Sequence, residues 1–392
     1  MSVYSVIELI NSQMPKVTKL IDLTLTRESI TGETYEDGMP DSALLKLFPM
    51  VQYMDRDLAL MKLRRSRPSL AYVVGTDQDI PQDREQVQLT TENVGDLKIA
   101  KSSLFTETDF NLMYRMTMLE RSGPAGVKAA QQIKNAFMAK TPELSQAVMN
   151  TLFFFSLRTA LLGRVAYTDL RTKLPVTLTY VDQIPAGNLA ATKTGNGRWS
   201  QPATANGIQD IVDHLDAYYG NIRAYPPFIG MGAREWVSLR NQNTTREVVL
   251  RGRGVITELG AVDAAALGNA PPPTLQEVSD EISRRLSRSD GTPGRVSLLV
   301  TDANYYSRDE AGVTTPGLYF PAGYYGFLWP GMVEQAILPN ATNDFNGGLA
   351  PTTRVIETDP RRERFSVSGV CVPLVADPRR IASRNVENTA IA

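Results

Sequence analysis

Apolar residues at Val127, Ala130, Ile133, Phe137 and Met138 recur close to every 3.6 positions, which predicts an amphipathic helix over 127–140. Thr141-Pro142-Glu143 then restarts the chain, because Thr141 can cap and Pro142 suits a first helical position. A second helix is predicted from 141 to Gly163, about 30 Å long and the longest element expected. Further on, Ile208, Ile211, Val212 and Leu215 share one stripe of a helix that Gly220 is expected to stop. A strand at 226–232 (PPFIGMG) and a short helix at 233–242 (AREWVSLRNQ) follow. Thr274 and Glu277 form a candidate capping box for a helix with Leu275, Val278, Ile282 and Leu286 on one face. RVSLLVTDA at 295–303 reads as a strand.

Period-two patterning marks other segments. LAYVVG (70–75) and VQLTT (87–91) are strand-like, with the polar, Pro-containing stretch 76–86 between them. They predict a long two-stranded excursion, which is barely stable unless it leans on a neighbour. VTLTYV (176–181) is a further strand. Residues 1–50 alternate short apolar pairs with polar segments, as an extended arm would, with one short helix expected near 6–14. The Gly/Asn/Thr-rich stretch 188–207 is the best domain boundary. Beyond it, the order helix–strand–helix–helix–strand implies a mixed α/β unit, and the last 45 or so residues return to strands. No internal repeat has a solenoid period.

Composition narrows the function. Of 392 residues, 42% are hydrophobic and 21% charged, as in an ordinary globular protein. Lys plus Arg total 41 against 42 Asp plus Glu, a net charge of −1, so no global basic field draws the chain to DNA or an anionic membrane. The opening stretch lacks a basic leader followed by a long apolar run, so no signal peptide is expected. The most apolar stretch, around 152–162, is broken by Arg158 and followed by Arg164, too short to cross a bilayer.

Candidate chemistry is sparse. Gly230-Met231-Gly232 follows a strand and opens a helix, as a dinucleotide loop would, but Glu235 stands where the third glycine belongs. A tight strand-to-helix turn is the expected reading. Asp210, Asp213, His214 and Asp216 could suggest a metal site, yet there is no second histidine. These residues are expected on the solvated side of their helix. Cys371, the single cysteine, sits in an apolar strand context that keeps a thiol inert. Catalytic, cofactor-binding and metal-ligating residues are therefore assigned to none. Arginines cluster at 64–67, 251–253, 284–285 and in two DPRR units at 359–362 and 377–380. Scattered and balanced by acids, they read as surface or subunit-interface partners. The uncharged, aromatic stretch 317–331 must be core or interface.

Several motifs then fall in one order: Trp199-Ser200 before the acidic helix, Met231 five residues before Trp236, and Tyr306 leading to Asp309 and Gly312. Pro321-Ala322-Gly323, Asp359-Pro360-Arg361, Val372-Pro373-Leu374 and Asp377-Pro378 follow. Over roughly 100–390 this layout resembles the lambda-type E family of tailed-phage major capsid proteins. The resemblance implies an α+β Hong Kong 97-type capsid fold. Its parts would be an N-terminal arm at 1–55, an extended β-hairpin loop at 56–105, a peripheral domain with a long spine helix at 106–195 and 346–392, and an axial α/β domain at 196–345. It implies hexamers and pentamers closing into an icosahedral shell around double-stranded DNA, within a virion assembled in the host cytoplasm. Partners would be further copies, a separate scaffolding protein, a portal and a decoration protein, with no sequence-specific DNA contact, no membrane and no cofactor. Some relatives crosslink through Lys and Asn. Lys98 and Lys101, with Asn340, Asn343 and Asn346, match that only by position, and no crosslink is expected. Two other readings stay open: a tail or portal component, and a nucleotide-dependent α/β enzyme.

Overall fold

The computed structural model describes residues 47–52, 61–63, 89–91, 98–120, 124–168, 175–254, 271–286, 294–302, 304–308, 313–338, 349–358 and 361–388. The expected arm before residue 47, the strand at 70–75, Arg64 to Arg67 and the three asparagines Asn340, Asn343 and Asn346 lie outside these residues.

Two sheets carry the fold. The first is built on one long strand, β15 (Arg361–Val375). Its first half pairs antiparallel with β14 (Leu349–Thr358) on one edge and with β4 (Lys98–Phe105) on the other. Its second half pairs with β13 (Val333–Leu338), which in turn pairs parallel with β1 (Met50–Gln52). Thus β4 and β13, which the expected division places in the loop and the axial unit, share a sheet with β14 and β15, which it places in the peripheral part. The second sheet has the order β7 (Leu189–Ala190), β16 (Ser383–Asn385), β12 (Tyr324–Leu328), β8 (Phe228–Gly232), β9 (Ser297–Thr301). β8 and β9 are parallel, and the helices between them supply the crossover. Short antiparallel pairs join β2 (Met61–Leu63) to β3 (Leu89–Thr91), β5 (Arg164–Thr168) to β6 (Pro175–Thr179), and β10 (Asn304–Arg308) to β11 (Thr314–Leu318). Of the expected excursion, Leu89–Thr91 is a strand, but its partner is 61–63, and the strand expected at 70–75 lies outside the described residues.

Against the first sheet lies one helix where two are expected. It runs without interruption from Pro124 to Leu162, 39 residues, about 58 Å, and Pro142 lies inside it. Proline in a helix interior costs about 3 kcal/mol. The offset is visible downstream. Leu144, Val148, Met149, Leu152, Phe153, Phe155, Leu157, Ala160 and Leu161 are all buried, and each such side chain contributes roughly 1.5–3 kcal/mol. Once that half is anchored, extending it is easier than nucleating a second helix. Gly163, at φ 64, ends it and donates its N–H to the Thr159 carbonyl at 2.9 Å.

Helix α1 (Glu107–Glu120), unread in the sequence, precedes this long helix, α2 (Pro124–Leu162). Its apolar residues have no stripe, but its start is legible: Thr106 donates its N–H and hydroxyl to Asp109 Oδ2 at 2.8 and 3.0 Å. Helix α3 (Gly207–Ile222) runs past Gly220, and Arg223, left-handed at φ 62, ends it. Helix α4 (Ala233–Arg240) matches expectation. Helix α5 (Asn243–Gly252), unread in the sequence, follows it. Helix α6 (Leu275–Arg285) carries the expected capping box, with Thr274 and Glu277 bonded reciprocally.

Two hydrophobic cores result. One gathers α2, the first sheet and Leu47, Phe48, Tyr319 and Phe320; the other gathers α3, α6 and the second sheet. Strand β12 is their common wall. Alternate residues face opposite ways, so Tyr325 and Phe327 enter the second core while Leu328 enters the first. The uncharged stretch 317–331 is therefore core over most of its length, with Tyr319, Phe320, Tyr325, Phe327 and Leu328 all buried.

Candidate functional site

The β8–α4 turn has the outline of a phosphate loop and the chemistry of a structural joint. Glu235 is buried at the start of α4, and its Oε1 accepts the Gly323 N–H at 2.6 Å. A carboxylate thus occupies the helix N-terminus, where a phosphate would otherwise be favoured. Burial raises its pKa despite that bond. Gly232 carries no side chain because a Cβ there would overlap Glu235 Oε2. The turn ties α4 to the loop leading into β12, and the expected tight-turn reading holds.

The acidic group on α3 meets expectation only in part, because Asp213 and Asp216 are exposed. Asp210 and His214 are buried, not solvated. Asp210 accepts the Trp199 indole N–H at 3.1 Å and pairs with Lys193. Trp199 in turn stacks on Tyr325, centroids 5.2 Å apart and planes 10° off parallel. His214 places Nε2 at 2.9 Å from the Asn188 carbonyl oxygen and Nδ1 at 3.1 Å from the Tyr325 hydroxyl. A carbonyl only accepts, so Nε2 bears the proton and Nδ1 accepts from the phenol. Burial, with the Arg384 charge in addition, holds the imidazole down at about 4. The hydrophobic stripe misleads here, because this helix is packed on more than one side, by β12 and by the C-terminal segment. Among the described residues, no group of three or more His, Cys, Asp and Glu is placed to hold a metal ion.

Cys371 lies fully buried in β15, its thiol pushed up to about 12 by burial. An open cleft of about 480 Å³ is lined by Val248, Arg251, Gly252, Arg284 and Arg285. Its arginines are tied to acids: Arg251 to Glu247, Arg284 and Arg285 to Glu281. They also sit in the last turns of α5 and α6, where cations complement the helix dipole. Nearby, Arg253 grips Glu277 at 2.5 and 2.6 Å and holds that carboxyl at about 2. The second DPRR closes a 3₁₀ turn over 378–380: Asp377 caps it, pairs with Arg379 at 2.9 Å, and Arg380 lies 4.8 Å over the Trp329 ring. In the first, Arg361 and Arg362 open β15 opposite Thr358 and Glu357.

What stands out is a surface. Leu112, Tyr114 and Met118 on α1 and Val127 at the start of α2 are 41–52% exposed, and Leu104 on β4 is similarly open. Apolar side chains left open in one stretch mark a contact surface rather than a catalytic cleft. Lys98 and Lys101 lie in β4, opposite Val370 and Val367 of β15.

No protein-family model matches the chain. No curated protein matches it either. Solved structures do. A protein described as a prophage capsid protein, from E. coli CFT073, is 15% identical with a TM-score of 0.53, covering 94% of this chain and 98% of that one. A phage-related protein from Bordetella bronchiseptica RB50 is 11% identical, TM-score 0.47, covering 95% and 96%. A subunit of the bacteriophage PhiM1 mature capsid is 12% identical, TM-score 0.37, covering 92% and 91%. Along almost its whole length, then, this chain has the fold of a prophage capsid protein.

Proposed function

We propose that this chain is the major capsid protein of a tailed double-stranded DNA phage, of the Hong Kong 97 type and related to the lambda-type E group. In this reading it assembles into hexamers and pentamers that close into an icosahedral shell and performs no catalysis. The observation that carries it is the fold shared with a prophage capsid protein over 94% and 98% of the two chains.

The surface supports it. The open apolar side chains of α1, β4 and the start of α2 are a liability in a lone chain and an asset in a shell. The β2–β3 pair has only three residues per strand and needs a neighbour to lean on. A net charge of −1 suits a container that holds DNA without adhering to it. In domain terms we assign 1–55 to an arm, 56–105 to the loop, 106–195 and 346–392 to the peripheral part and 196–345 to the axial part, with β4 and β13 hydrogen-bonded into the peripheral sheet. Partners would be other copies, a separate scaffolding protein, a portal and a decoration protein, in a virion assembled in host cytoplasm.

Electron microscopy of the chain expressed alone and with its neighbouring genes tests this. Closed, roughly spherical shells are expected. Rings or tubes would favour a portal or tail component, and a dispersed monomer at high concentration would refute the reading.

A further inference from the structure

We infer that His214 is an acid-operated latch, whose protonation releases the C-terminal segment 376–388 from the second sheet while the rest of the fold stays closed. The argument starts from where that segment is held. After β15 the chain leaves the first sheet, turns at 378–380, and inserts β16 between β7 and β12 of the second. Asn188, fully buried, is the clasp. Its side-chain Nδ2 donates to the carbonyls of Arg379 and Ile381 at 2.6 and 3.1 Å. Its own carbonyl accepts from the Ser383 N–H at 3.1 Å and from His214 Nε2 at 2.9 Å. One backbone oxygen thus joins α3 to β16.

The other side of the ring is where charge matters. The Tyr325 hydroxyl has a single proton, and two acceptors compete for it: His214 Nδ1 at 3.1 Å and the Asp210 carbonyl at 3.3 Å. With the imidazole neutral, the phenol donates to Nδ1. With the imidazole charged, Nδ1 becomes a donor, and the phenol must turn its proton toward Asp210. Arg384, on β16, donates its Nε to the Ala191 carbonyl at 3.0 Å, and its charge bears on both the phenol and the imidazole. In the charged state two cations, His214 and Arg384, therefore act on one buried phenol, where repulsion is poorly screened.

Among the described residues, the acids nearest this pair are already engaged. On α3, the Asp210 carboxylate is occupied by Trp199 and Lys193, and Asp213 accepts from Gln209 at 2.7 Å. On the C-terminal turn, Asp377 is paired with Arg379 and Arg380. From β12 the ring meets only Tyr325 and Phe327. β16, three residues long, is the element that can yield.

An imidazole that titrates at about 4 in place and near 6.5 when released should raise the released fraction about twentyfold between pH 7 and pH 5. Hydrogen exchange on the full chain as purified, corrected for intrinsic pH dependence, reads this peptide by peptide. Peptides across 376–388 should lose protection about twentyfold at pH 5 relative to the α2 core, and His214→Gln should abolish that difference. Equal acid loss in His214→Gln, no loss in the parent chain, or uniform loss throughout the molecule would each overturn the latch. If His214→Gln does not fold, Arg384→Gln serves instead: it should blunt the acid opening, and an undiminished opening refutes the mechanism.

Discussion

Gly326 sits in β12 at the seam between the two cores, and replacing it with alanine asks whether that seam is as tight as the structure shows. An added Cβ would overlap Leu161 Cδ2 of the long helix and lie 2.9 Å from the Ala382 carbonyl oxygen and 3.3 Å from Ser383 Cβ. The leucine tip can turn away, but the carbonyl belongs to the segment that accompanies β16 and accepts the Phe327 N–H at 2.9 Å. Two effects oppose one another. Alanine in a strand gains about 0.5–1 kcal/mol over glycine. Overpacking against neighbours that cannot retreat costs about 1–3 kcal/mol. The backbone contact decides the sign, and Gly326→Ala should destabilise by about 1 kcal/mol net. Gly220, inside α3, is the control: a Cβ there meets nothing within 4 Å, so Gly220→Ala should stabilise by about 0.5–1 kcal/mol. Urea unfolding followed by tryptophan fluorescence suits the test, because Trp329 packs against both cores. With a slope of about 3 kcal/mol/M, the Gly326→Ala midpoint should fall by roughly 0.3 M and that of Gly220→Ala should rise. A Gly326→Ala chain as stable as the parent would refute the close-seam reasoning, whatever the control does.

Two further outcomes can be checked on the same material. Thr274→Ala removes the hydroxyl that caps α6 and should cost about 1 kcal/mol; an unchanged midpoint would mean that Glu277 alone secures the helix start. Cys371, buried and with its thiol raised to about 12, should resist a thiol reagent at pH 8 in the folded chain and react stoichiometrically in urea, and prompt reaction of the folded chain would contradict its place in the core.

Much of the fold was legible where one local rule acted alone. The capping box at Thr274 and Glu277, the β8–α4 turn, and the strands around 176–179 and 297–301 all stand where patterning puts them, because each depends on residues within a turn or two. Local rules failed where a distant segment changed the balance. Pro142 reads as a helix start, but burial of Leu144 to Leu161 against the first sheet keeps one helix running through it. Asp210 and His214 read as a wet face, since nothing nearby in sequence announces that Asn188 and the 379–384 segment cover them. Helix α1 hid because apolar residues on every side erase the periodic signal, although Thr106 and Asp109 marked its start. The sequence by itself determined which residues are apolar, which termini are capped, that charge is balanced, and an order of motifs matching a capsid layout. Only the tertiary structure decided that the 317–331 stretch is core, that β15 carries the first sheet, and that Ser383–Asn385 crosses into the second. Those are pairings between segments far apart in the chain, and hydrogen bonds and burial of that kind leave no periodic trace in either partner alone.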